Sequence, residues 1–232
     1  MYEAVHAVPH GASTVARHAA TAAESGFDGV VVRSRPGDDA RDLAAVRDAC
    51  DVDVVDGVEV VADGPGSARG HVGNLRPDHT LLMVRGGDAA TNRFAVESPR
   101  VDVLTAPTSD SGAFNHVLAR AAAENDVAVE FDLGPVLRSD GGPRVRALSR
   151  LRKLRELVED AGAPVVVSAG PTSHLEQRAP RELFALGREI GLDEDAVREG
   201  LSRWGDIAAR NRHRQSDAFV APGVEVERED EP

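Results

Sequence analysis

Short apolar runs recur along the chain, and most are followed by a stretch whose apolar positions return every three or four residues. Residues 2–8 form the first run, closed by Pro9, His10 and Gly11. Val15, Ala19, Ala22 and Ala23 then fall on one side of a helix that Ser13 can cap and Gly26 can end. Residues 28–33 are almost wholly apolar, as expected of a strand covered on both faces. A helix over 40–50, with Leu43, Val46 and Arg47 at helical spacing, leads to a third strand at 52–62. Residues 63–77, rich in Gly, Pro and polar side chains, break the rhythm. It resumes with strand 79–85, a helical piece at 89–97, strand 101–105, helix 113–125 and strand 127–133. A turn through Arg138, Gly141 and Gly142 precedes a helix beginning near Pro143; strand 164–168, a loop over 170–178 and helices at 180–190 and 193–203 follow.

Strands alternating with helices imply a parallel sheet. At 232 residues, the expected closure is an α/β TIM-like barrel of about seven parallel strands. An open doubly wound sheet is the alternative, but no Gly-x-Gly-x-x-Gly follows the first strand. One barrel domain is expected over 1–220, with 221–232 as an acidic, disordered tail.

The helix after Pro143 has two faces. Leu151, Leu154, Val158 and Ala161 make an apolar stripe, whereas Arg146, Arg150 and Lys153 fall at i, i+4 and i+7 on a separate one. Arg152 and Arg155 each stand four residues before a glutamate, Glu156 and Glu159, and can pair with it. The cationic stripe has fewer acids in helical register, which points to an anionic partner.

Charge sharpens that contrast. Asp and Glu number 39 against 27 basic residues, giving a net charge of -12, and Lys153 is the sole lysine. Such an acid excess, with Arg in place of Lys and few aromatics, indicates a halophilic, GC-rich source. At 1 M salt the Debye length is about 3 Å, so RNA binding there would need close, directional contacts, which the planar guanidinium fork provides. Codon bias accounts for the overall Arg preference, but not for its clustering between Arg138 and Arg155.

Cys50 is the one cysteine, which excludes a disulfide framework or a cysteine metal site within one chain. No apolar run approaches the ~20 residues that span a bilayer, and no basic-then-apolar leader opens the chain. A cytoplasmic chain without a membrane partner is expected.

In barrels the chemistry lies in loops after the strands. His6 and His10 flank the end of strand one, Asp56 and Glu59 lie in strand three, and His71, His116 and His174 come later. Metal-dependent phosphoesterases of the PHP class carry a His-x-His pair just after the first strand. Residues spaced as His6 and His10 are stand about 13 Å apart on a strand, too far to share an ion unless the Pro9 turn folds them together. No Gly-x-Ser-x-Gly elbow is present. The loop from Ser168 to His174 could hold an anion, although its composition equally serves ordinary turns. No catalytic or metal-ligating residue is therefore assigned.

Several stretches together carry a family resemblance: Gly73-Asn74-Leu75-Arg76-Pro77, Asn92-Arg93, Ser98-Pro99-Arg100-Val101-Asp102-Val103-Leu104, Asn115-His116-Val117-Leu118-Ala119, Glu124-Asn125-x-Val127-Ala128, the segment from Leu137 through Arg155, Pro164-Val165-Val166-Val167-Ser168, and Ala179-Pro180-Arg181-Glu182-Leu183. In these the chain resembles the archaeal ribonuclease P protein component 3 family, the p30-type barrel subunit. The resemblance implies a PHP-like barrel with degenerate metal residues, inside a ribonucleoprotein endonuclease that removes the 5′ leader from precursor tRNA. It implies an RNA subunit that performs the hydrolysis with Mg²⁺, and a polypeptide that binds no cofactor. The implied partners are the ribonuclease P RNA, protein component 2, the other ribonuclease P proteins and precursor tRNA. RNA-binding candidates are then Arg138, Arg144, Arg146, Arg150, Arg152, Lys153 and Arg155, followed by Arg76, Arg93 and Arg178. A stand-alone PHP-type phosphoesterase is the alternative.

Overall fold

A computed structural model describes residues 1–38, 43–108, 113–216, 219–221 and 224–225. Seven strands, β1 (Tyr2–Val5), β2 (Gly29–Ser34), β3 (Asp53–Val60), β4 (Leu81–Arg85), β5 (Val103–Thr105), β6 (Ala128–Asp132) and β7 (Val165–Ser168), pair in chain order. Every neighbouring pair is parallel. Between them run α1 (Val15–Ser25), α2 (Ala44–Asp48), α3 (Pro65–Leu75), α4 (Ala89–Glu97), α5 (His116–Glu124), α6 (Gly134–Leu137) and α7 (Gly141–Ala161), and α8 (Pro180–Ile190) and α9 (Glu194–Gln215) follow β7. This is the expected TIM-like α/β barrel of seven parallel strands.

Register divides each strand into two sets. Ala4, Val31 and Val55 lie side by side and, with Leu81, Met83, Val103, Ala128 and Val166, form an inner cluster. Alternate residues such as Val30, Val32, Val54 and Val58 join the larger cluster beneath the helices. Side-chain alternation along a strand produces both cores from one run of valines.

No ladder joins β1 to β7. Instead α9 packs along both strands. Trp204, fully buried, donates its indole N–H to the Val167 carbonyl at 2.9 Å and caps the inner cluster with Ile207 and Ala208. Glycine makes this approach possible: a Cβ at Gly200 would lie 2.6 Å from Val167 Cγ2, and one at Gly205 would lie 2.3 Å from Tyr2 Cε2. Glu3, also fully buried, accepts from the Ala169 N–H at 3.0 Å and so spans the same seam.

Several elements differ from expectation. Residues 63–77 contain a regular helix, α3, in which Pro65 starts the first turn and Ala68 and Val72 are buried four residues apart. Gly66, Gly70 and Gly73 had hidden that period, since glycine weakens a helix signal without abolishing the packing. α9 runs to Gln215, well past residue 203, because Trp204, Ile207, Ala208 and Asn211 continue its buried stripe through an arginine-rich surface. In α1 the cap is Thr14, which accepts from Arg17 N–H, while Ser13 bonds His174 instead. The expected helix over 40–50 is seen as Ala44–Asp48; residues 39–42 lie outside the described ones. Of the expected tail, Ala221 belongs to a strand, Phe219–Ala221, that pairs antiparallel with Val224–Glu225, and residues 222–223 and 226–232 lie outside the described ones.

Candidate nucleic-acid interface

α7 has Asp140 at its N-cap and ends at Gly162, whose φ of 64° closes the last turn. Ala147, Leu151, Leu154 and Val158 are its buried face. Arg144, Arg146 and Arg150 are exposed, and none makes a hydrogen bond or ion pair among the described residues. The other candidates on this segment are engaged. Lys153 pairs with Glu156 at 3.0 Å, taking the acid expected for Arg152. Arg152 instead reaches across to the Glu189 carbonyl, at 3.0 and 2.7 Å. Arg155 pairs with Glu159 as expected, at 2.5 Å, and also donates to the Ile190 carbonyl. The last carbonyls of a helix lack internal partners, so the end of α8 engages both guanidinium groups, although Arg152 itself stays exposed.

Arg138 is tied to the loop after β7, donating to the carbonyls of Ala169 at 2.8 Å and Gly170 at 3.1 Å. Arg76 caps the end of α3 and donates to Asp102 at 2.5 Å and to the carbonyls of His79 and Thr80. Arg178 donates to the carbonyls of Leu175 and Gln177, and Arg93 pairs with Glu97 at 3.5 Å. Thus Arg146 and Arg150, four residues apart, share one exposed flank of α7, Arg144 is exposed on the other side of the buried stripe, and the remaining candidates hold the chain together or pair locally.

At the C-terminal ends of the strands, here called the mouth, lies a polar cluster of which only His6 and Glu59 stood out in the sequence. Arg33 is buried and ion-pairs with Glu130, stands 3.5 Å from Glu59, and donates to Ser168 Oγ at 3.1 Å. Ser168 in turn donates to Glu130 at 2.6 Å, and Thr105 donates to Glu59 at 2.7 Å. Burial disfavours charge on Arg33, but Glu130 and Glu59 outweigh it and hold the guanidinium above its ordinary pKa. Burial likewise opposes ionisation of Glu59, and Arg33 overcomes this to lower its pKa. Asp132 rises to about 6 through burial and the charge of Glu130; burial, then Arg33, drives His6 down to about 4. Glu3 rises to about 8 because burial exceeds the help of the Ala169 N–H. Arg85 and Arg150 line a small cavity of about 110 Å³ here, together with Glu130 and Asp132. The signal available in the sequence was a charge interrupting an apolar strand, in Val30-Val31-Val32-Arg33 and in Val129-Glu130-Phe131.

A catalytic metal in a barrel of this kind would stand at the mouth, and these residues do not fit one. The guanidinium of Arg33 occupies the space between the carboxylates that a cation would neutralise, and no group of three His, Cys, Asp or Glu among the described residues is arranged to hold an ion. The histidines are dispersed: His10 bonds Asp38 at 2.8 Å, His79 bonds Asp56 at 2.8 Å, and His174 bonds Ser13 at 2.9 Å. The loop from Ser168 to His174 spends its donors internally, with Thr172 N–H and Oγ1 both donating to Glu176. No described helix is long and apolar enough to cross a membrane.

A parallel α/β barrel whose mouth is bridged by an internal arginine, with exposed arginines on an outer helix that have no partner among the described residues, is the class these features define. The family model of the RNase P subunit p30 matches residues 1–216. The chain is 61% identical over 228 residues to ribonuclease P protein component 3 of Haloarcula marismortui, covering 98% of this chain and 97% of that one. To the component 3 of Methanosarcina barkeri it is 36% identical over 224 residues, covering 96% and 93%. The chain belongs to the RNase P subunit p30 family. Two solved structures share the fold. One is a chain in a cryo-EM structure of archaeal ribonuclease P with mature tRNA, with a TM-score of 0.86, 23% identity and full coverage of both chains. The other is a histidinol phosphate phosphatase of Lactococcus lactis complexed with zinc, L-histidinol and phosphate, with a TM-score of 0.54, 9% identity, and coverage of 82% of this chain and 94% of that one.

Proposed function

We propose that this chain is a non-catalytic protein subunit of ribonuclease P, supporting RNA-catalysed removal of the 5′ leader from precursor tRNA. Its work is to bind the RNA subunit through α7 and to join protein component 2 and the other ribonuclease P proteins. Mg²⁺ serves the RNA, and the polypeptide needs no cofactor. Beside family membership, the observation that carries this is the exposed, unpaired trio Arg144, Arg146 and Arg150 on a chain of net charge -12. Folded RNA is recognised through backbone, shape and 2′-hydroxyls, for which outward guanidinium forks are suited.

The test is precursor-tRNA cleavage at high salt with Mg²⁺, using the cognate RNA subunit, with and without component 2 and this chain. The expected result is a chain inert by itself that raises cleavage by RNA plus component 2. Phosphoester hydrolysis by the chain alone with a divalent metal, and no effect on the RNA, would establish the PHP-type phosphoesterase instead. Arg146→Glu with Arg150→Glu is expected to weaken assembly with RNA while the fold persists; unchanged assembly would remove α7 from the interface.

A further inference from the structure

Between α3, α4 and the turn at 98–100 lies an open cleft of about 370 Å³. Arg69, Val72 and Gly73 form one wall, and Phe94, Pro99 and Arg100 contribute to the other. The guanidinium of Arg69 stands 5.7 Å from the centroid of the half-buried Phe94 ring. Arg69 and Arg100 are exposed, and neither makes a hydrogen bond or ion pair among the described residues. The acid in the lining, Glu97, is paired with Arg93. A Cβ at Gly73 would stand 3.7 Å from the nearest Arg100 nitrogen, so the bare glycine backbone keeps that wall low beside the guanidinium.

Two unpaired cations on so acidic a chain call for an anion. The aromatic narrows the choice. A carboxylate or an acidic peptide would use the arginines as charges alone, whereas an unstacked base has a flat face that extends the stack Arg69 already makes with Phe94, and it brings its own phosphate. Paired RNA keeps its bases stacked inside, so a single strand supplies this ligand. Stacking also survives the salt that screens long-range attraction.

Building on the ribonuclease P reading, we infer that this cleft holds one unstacked nucleotide of a single-stranded RNA segment, its base against Phe94 and Arg69 and its phosphate on Arg100. It is a contact on different helices from the α7 trio.

Fluorescence anisotropy with the full chain, a fluorescein-labelled ten-nucleotide oligo(U) and an RNA duplex of the same length tests this across a salt series. Phe94→Leu keeps an apolar side chain but removes the ring, and it is expected to weaken oligo(U) binding about 5- to 150-fold, the range spanned by one stacked base, with little effect on the duplex. Arg100→Gln is exposed and serves if Phe94→Leu misfolds; it is expected to lower the salt slope for oligo(U) by about 0.7, the loss of one single-strand phosphate contact. Unchanged oligo(U) affinity and slope in both variants would overturn the cleft. So would variants that bind oligo(U) normally but lose component 2, which would make this a protein-docking surface. If Arg146→Glu with Arg150→Glu abolishes assembly with ribonuclease P RNA while the cleft variants change nothing, the cleft alone fails. If the cleft variants lose oligo(U) but the chain never stimulates cleavage, the cleft stands and the ribonuclease P function fails.

Discussion

Arg33 and Arg146 carry the same charged group into opposite situations. At the mouth, Arg33 is enclosed by Glu59, Glu130 and Ser168, with its guanidinium carbon 5.6 Å from the centroid of the Trp204 ring. On α7, Arg146 faces solvent without a partner among the described residues. A buried cation is tolerable only where carboxylates and hydroxyls replace its lost hydration, so Arg33 is committed to the fold. An exposed one loses little hydration and stays available to something else. The difference lies in what surrounds the residue, which makes a bare count of arginines a poor guide to an RNA interface.

The strongest way to break that contrast is Arg33→Ala. It leaves Glu59 and Glu130 buried without their cation and is expected to cost about 3–5 kcal/mol of stability, measured by denaturant unfolding. Adding Glu59→Gln and Glu130→Gln should restore part of the loss, and a triple variant as unstable as the single one would show that charge is not the cause. Arg76→Ala follows at about 1.5–3 kcal/mol, since it strips a charged hydrogen-bond donor from Asp102, which also holds Arg210 and Asn211 of α9. A change within about 0.5 kcal/mol, the range of ordinary surface substitutions, would return Arg76 to the free group.

Glu3 sharpens the comparison through pH. Its pKa rises from 4.5 unfolded to about 8 folded, chiefly through burial. Below 4.5 both states hold the proton, so its contribution is fully present; as pH rises towards 8 the folded state keeps a proton that the unfolded chain has released, and that stability is lost. Glu3→Gln retains an acceptor for the Ala169 N–H without the ionisation. Its melting temperature should therefore gain on the parent between pH 5 and pH 9, and parallel curves would mean that Glu3 ionises freely in the seam.

Much of the barrel was legible because alternation of valine-rich strands with amphipathic helices is a local signal, and helix 180–190 matches α8 throughout. α3 was obscured by Gly66, Gly70 and Gly73, and the second half of α9 by its arginines, although Trp204, Ile207 and Asn211 kept the period. The outward stripe of α7 was visible from spacing alone. Which arginines stay free was not: the partners of Arg152, Arg155 and Arg138 are backbone carbonyls 37, 35 and 31 residues away in sequence, at places only the folded chain brings together. The same holds at the mouth, where Arg33 meets Glu130 across 97 residues.

The smallest expected effect on stability belongs to Arg144→Gln with Arg146→Gln and Arg150→Gln. None of these side chains has an internal partner among the described residues, so each exchange should stay within about 0.5 kcal/mol. The effect should appear instead in RNA assembly, where the slope of log affinity against log salt falls by about 0.9 for each duplex phosphate contact removed. A slope reduced by about 2 to 3 at unchanged stability would mean that most of the trio touches phosphate. A reduction near 1 would leave one true contact, for which Arg150, between α7 and the mouth cavity, is the residue to test singly. An unchanged slope with lost stability would reverse the comparison, making α7 the structural site and leaving the outward charge without a function.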